Sequence, residues 1–160
     1  MSSHAEWLRI DEAALTRLAG ILARCVGEGG IIFLQGQLGA GKTTFARAML
    51  GALGVGERIK SPTYSLIESY RVVELGIHHL DLYRIADVEE LEWLGLPDLL
   101  EGRSLLLVEW PERGAGALPV PDLTLSLEHA GEHRDLAAIA ASPRGIEWIG
   151  LLETLGTSKP

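Results

Sequence analysis

The stretch Ile31-Ile32-Phe33-Leu34-Gln35-Gly36-Gln37-Leu38-Gly39-Ala40-Gly41-Lys42-Thr43 decides the fold. Its first four residues are wholly apolar, as in a strand that a sheet buries on both faces. Gly36 to Thr43 then matches G-x-x-x-x-G-K-[ST] at every fixed position. Lys42 to Leu53 reads as a helix. A buried strand, a glycine-rich turn and a helix in that order are the setting of a phosphate-binding loop. Glycines let the loop turn its N–H groups inward. The helix aims its positive N-terminus at the same anion. Lys42 supplies a point charge for β and γ phosphates, and the Thr43 hydroxyl suits Mg²⁺.

On either side the chain alternates strands and helices. Glu6–Ile10 reads as a strand, and Asp11 caps a helix over Glu12–Val26 whose apolar face carries Leu15, Leu18 and Leu22. Beyond the loop, Tyr64–Val73 and Gly76–Tyr83 read as strands and Asp87–Trp93 as a short acidic helix. Leu96–Leu100 forms a turn, and Ser104–Val108 a second buried strand that ends at Glu109. Asp122–Glu128 alternates as a half-exposed strand. Arg134–Ala141 is a strand or, given its alanines, a helix, and Ile146–Leu155 closes the chain as a helix. No repeat, linker or low-complexity tract divides residues 1–160, so one α/β domain is expected. The last few residues are expected to lack fixed structure.

A phosphate loop needs a magnesium-side carboxylate at the end of a neighbouring buried strand. Glu109 and Asp81 both fit, Glu109 in the more apolar setting. His78 and His79 lie on the same strand as Asp81, but adjacent strand residues point to opposite faces, so the pair does not readily share one metal ion. Cys25 lies on a helix's buried face and reads as packing. Trp7, Trp93 and Trp148 are expected in or near the core. Trp110 adjoins Glu109 at the mouth of the expected site.

Composition narrows the function classes. Fourteen Lys and Arg against 22 Asp and Glu give a net charge of −8, which excludes an open basic nucleic-acid-binding face. One cysteine excludes an internal disulfide, and Met1–Glu6 has neither the basic nor the apolar part of a secretion signal. A cytoplasmic protein is expected. No run approaches 18 apolar residues, so no membrane span is expected. A guanine-reading Asn/Thr-Lys-x-Asp element is absent: the chain has no Asn, and neither Lys60 nor Lys159 precedes x-Asp.

Four ordered motifs together resemble one family. They are Gly36–Phe45, Ser61-Pro62-Thr63-Tyr64, His79-Leu80-Asp81-Leu82-Tyr83-Arg84 and Glu109-Trp110-Pro111-Glu112. They are similar to the bacterial TsaE (YjeE) family of ATPases in tRNA threonylcarbamoyladenosine biosynthesis, over about Glu12 to Arg134. The resemblance implies a P-loop NTPase-like three-layer α/β domain with a central mixed sheet. It implies ATP and Mg²⁺ as cofactors. It also implies work with TsaB- and TsaD-like subunits, tRNA being reached only through that complex.

Carried over by position, Gly36, Gln37, Leu38, Gly39, Ala40, Gly41, Lys42, Thr43 and Thr44 would cradle the nucleotide. Lys42, Asp81 and Glu109 would be catalytic, and Thr43, Glu109 and Asp81 would serve the metal. Ser61-Pro62-Thr63 would respond to the γ-phosphate. Glu12, Trp110, Glu112 and Arg134 fall where family members contact nucleotide. One position departs: the family usually has an acid after the first loop glycine, where this chain has Gln37. Two rival functions fit the same loop, a nucleotide-gated interaction module and a small-molecule kinase. The chain's length leaves little room for a kinase lid.

Overall fold

All six residues of the strand Ser104–Glu109 are buried, as a near-continuous leucine run requires. It belongs to a computed structural model that describes residues 2–60 and 66–156. The strands are β1 (His4–Ile10), β2 (Gly30–Gly36), β3 (Ile67–Val72), β4 (Leu75–Asp81), β5 (Ser104–Glu109), β6 (Leu123–Ala130) and β7 (His133–Ala140). They form one sheet in the order β1-β7-β6-β2-β5-β4-β3. Pairs β2/β5, β2/β6 and β4/β5 are parallel, while β1/β7, β6/β7 and β3/β4 are antiparallel. The helices are α1 (Glu12–Cys25), α2 (Lys42–Leu53), α3 (Glu89–Trp93), α4 (Leu96–Leu99) and α5 (Pro143–Gly156).

Strand alternation sorts the core into two layers. Ile77, Leu105 and Leu107 face a cluster built with α1, α2 and α5, which includes Leu18, Phe45, Met49 and Trp148. Leu80, Leu82, Leu106 and Val108 face a smaller cluster with Leu91 and Leu96 of α3 and α4. Each fully buried Leu or Phe contributes about 1.5–3 kcal/mol, so these two layers, not helix propensity, hold the short helices in place. Asp11 caps α1 as expected, its Oδ1 accepting from the Ala14 N–H at 2.8 Å.

The expected elements are present, with shifted ends. The tract around Arg134–Ala141 is strand β7, because its main chain pairs with both β1 and β6. Helix α5 starts earlier than expected, where Ser142 Oγ accepts from the Gly145 N–H. Trp93 corrects the expectation of a core position: it is 87% exposed. A five-residue helix buries one face only, and Leu91 occupies it. Trp148 is buried and Trp7 packs against the larger cluster, as expected. Ser61-Pro62-Thr63-Tyr64 and positions 157–160 lie outside the described residues. Within the described residues, no helix is long and apolar enough to cross a membrane.

Candidate nucleotide site

The parallel ladder puts the chemistry at one end of the sheet. Glu109 is level with Leu34 of β2 and with Asp81 of β4. All three strand ends meet beneath the loop that leaves β2. Open α/β sheets bind ligands at this edge, beside the central strand from which connections run both ways. By alternation, His79, Asp81 and Glu109 share the sheet face that α2 covers.

The loop's shape needs its glycines. A side chain at Gly36 would collide with the carbonyl oxygen of Leu127, so only glycine lets β2 lie this close to β6. Gly41, at φ 110°, turns the chain into α2, which has no side-chain cap. Its first-turn N–H groups thus face the loop's interior. Arg134 braces the loop from β7: Nε donates to the Ala40 carbonyl at 3.1 Å and Nη2 to that of Gly39 at 3.3 Å.

Lys42 is 4% exposed. Its ammonium donates to the carbonyls of Gly36 and of Gln37, the latter at 2.9 Å, and lies 4.1 Å from the centre of the Trp110 ring. Burial lowers its pKa, opposed by the charges of Glu109, Glu112 and Asp81. Gln37 thus works here through its main-chain oxygen, a role open to any side chain at that position. Thr43 Oγ1 donates to Glu109 Oε1 at 2.9 Å, while Glu109 Oε2 lies 2.7 Å from His79 Nε2. Asp81 Oδ1 accepts from the Tyr83 N–H at 3.0 Å. Burial raises the Asp81 pKa and Glu109's charge adds to this; that N–H, His79 and Lys42 act the other way.

A cleft of about 210 Å³ brings together Leu38, Gly39, Gly41, Lys42, Thr43, Thr44, Asp81, Glu109, Trp110 and Arg134 from the expected set, with Tyr83. Two recesses adjoin it. One, shared through Leu38 and Trp110, holds Gly36, Gln37 and Glu112. The other, shared through Gly41, Thr44 and Arg134, holds Glu12. Ala40 is fully buried and contributes main chain only.

Three residues were not picked out from the sequence. Tyr83 packs 5.0 Å from Trp110, and Arg113 lies over both rings while donating to the Tyr83 carbonyl at 2.6 Å. His79 was weighed only as a metal ligand. The signal for it was its two-residue spacing from Asp81, which places both on one strand face. His78 points the other way, onto Ser69 Oγ at 2.8 Å. Trp110 takes a left-handed conformation, φ 58°, which folds its indole back over Lys42.

The groups present suit a nucleotide and Mg²⁺. Thr43 and two carboxylates are hard oxygen donors, and Mg²⁺ takes one or two such groups plus phosphate oxygens and water. Among the described residues no cluster of three or more His, Cys, Asp or Glu could hold an ion unaided. Fold and site together define a P-loop-like α/β domain. Residues 10–136 match the family model described as "Threonylcarbamoyl adenosine biosynthesis protein TsaE", and the chain belongs to that family. It is 42% identical over 140 residues to a Haemophilus influenzae tRNA threonylcarbamoyladenosine biosynthesis protein TsaE, covering 84% of this chain and 89% of the relative. The Bacillus subtilis protein of the same name is 32% identical over 140 residues, 87% of each. The crystal structure of Bacillus subtilis YdiB superposes with a TM-score of 0.78 at 27% identity, over 97% of each chain.

Proposed function

We propose that this chain is the Mg²⁺-dependent ATPase subunit of the tRNA threonylcarbamoyladenosine machinery. It would support turnover of a TsaB–TsaD pair in the cytoplasm. The observation that carries the reading is Thr43 Oγ1 on Glu109 Oε1 at 2.9 Å, beside a buried Lys42 and within one cleft with Asp81. Lys42 and the loop N–H groups hold the β and γ phosphates and stabilise charge on the transferring group. Thr43 and Glu109 would hold Mg²⁺, directly or through water. Bound there, the ion would supply neutralisation of developing phosphate charge. Asp81 orients or deprotonates the attacking water, a task its raised pKa favours; exchange of roles between Asp81 and Glu109 fits the same geometry. A chain of net charge −8 leaves tRNA to its partners.

One observation favours a second reading, a nucleotide-gated docking module. Lys42 is tied to two loop carbonyls and covered by Trp110, an arrangement that suits slow unaided turnover. Phosphate release and co-purification with TsaB and TsaD, each compared in ATP and ADP, separate the two. Partner-stimulated release supports the ATPase. ATP-dependent association without release supports the module. Neither release nor nucleotide-sensitive association would overturn both.

A further inference from the structure

The contact between His79 and Glu109 is the most enclosed imidazole–carboxylate contact among the described residues, with side chains 1% and 3% exposed. The imidazole belongs to β4 and the carboxylate to the end of β5, joined at 2.7 Å. A hydrogen on Nε2 makes this a donated N–H···O bond. Nδ1 is a buried side-chain atom with no hydrogen-bond partner among the described residues. The other tautomer would set a lone pair against the carboxylate and bury an unpaired N–H, a costlier arrangement. The opposite oxygen of Glu109, Oε1, accepts from Thr43. Glu109 is thus gripped at both oxygens by groups from different elements.

We propose that His79 is a positioning residue: it occupies Oε2 of Glu109, so that Oε1 alone is offered to Thr43 and to the Mg²⁺ of a bound nucleotide. The inference rests on reading Glu109 as the magnesium-side acid. A glutamate side chain has several rotamers open to it, and a fixed N–H at one oxygen selects among them. Metal sites depend on such outer partners, whose loss typically costs about 10–100-fold in metal affinity. Its hydrogen bond goes to Glu109 and not to the phosphate-binding loop, so the metal side of the site is where its loss is read most directly.

The test measures ADP affinity by calorimetry, with Mg²⁺ and with EDTA, for the wild type, His79→Gln and His79→Leu. Glutamine places an amide N–H near the position of Nε2; leucine fills the space without a donor. The wild type binds ADP more tightly with Mg²⁺. His79→Gln keeps this gain within about 3-fold, whereas His79→Leu loses about 10–100-fold of it. Affinity in EDTA stays the same in all three. A full Mg²⁺ gain in His79→Leu would overturn the proposal, and so would equal losses in both variants, which would make the side chain mere packing. No Mg²⁺ gain in the wild type would instead overturn the magnesium role of Glu109 and the function built on it. Nitrogen NMR of the wild-type protein gives a test even if a variant fails to fold: Nε2 of His79 is expected to carry a hydrogen, and an Nε2 without one refutes the proposal.

Discussion

Arg134 of β7 donates to the carbonyl of Ala40, 94 residues earlier in the chain, at 3.1 Å. A second bond to Gly39 makes the guanidinium a two-point brace on the glycine-rich loop. Its planar fork suits this, and an ammonium does not reproduce it. Arg134→Ala is expected to weaken nucleotide binding about 10-fold, the loss of one net charged hydrogen bond or two neutral ones. Arg134→Lys should recover little. Full ATP affinity in Arg134→Ala would show that the loop holds its shape unaided.

Removing the loop's charge is the severest test of the site. Lys42→Ala should lower turnover by about 10²–10³-fold or more, the usual cost of one preorganised group at a transferring centre. Phosphate release at the wild-type rate in that variant would dismiss the site.

Asp81 links pH, stability and turnover. Its folded pKa lies above its ordinary value, mainly through burial. The stability this gives is complete below the ordinary aspartate range and is lost as pH rises through the folded value. At pH 7 the nucleotide-free wild type therefore carries the cost of a partly buried carboxylate, which Asp81→Asn removes. The variant is expected to melt higher than the wild type at pH 7, with the gap closing as pH falls, while its turnover is lost. A lower melting temperature at pH 7 would show that the charge stabilises the fold.

Trp110 reports on Lys42, because its ring lies against the ammonium. Phosphates that draw Lys42 away from the ring alter the indole's surroundings. Trp110→Phe should remove most of the change in intrinsic fluorescence on adding ATP. Trp93→Phe should leave it, since Trp93 is 87% exposed. An undiminished change in Trp110→Phe would place the reporter elsewhere.

The loop, its flanking strand and helix, and both acids were legible in the sequence because their signals are local. Gly36 and Gly41 answer steric demands at single positions, and Glu109 ends an unbroken apolar run. The grip of His79 on Glu109 was hidden, because it depends on β4 lying beside β5 in a particular register, 30 residues apart along the chain. The brace from Arg134 was hidden for the same reason: β7 reaches the loop only through pairing with β6. Trp93 was misplaced because an aromatic side chain on a helix of five residues has no second turn to tell inside from outside.

The level alignment of Leu34, Asp81 and Glu109 has one more consequence. The sheet's hydrogen-bond ladder works as the site's ruler. A slip of one residue in β4 would send Asp81 and His79 to the opposite face and bring Leu80 in their place. Changes in the loop between β3 and β4 are thus tolerable only while they leave that register alone. The leucines that pack β4 and β5, far from any phosphate, set the calibration on which two acids and an imidazole depend.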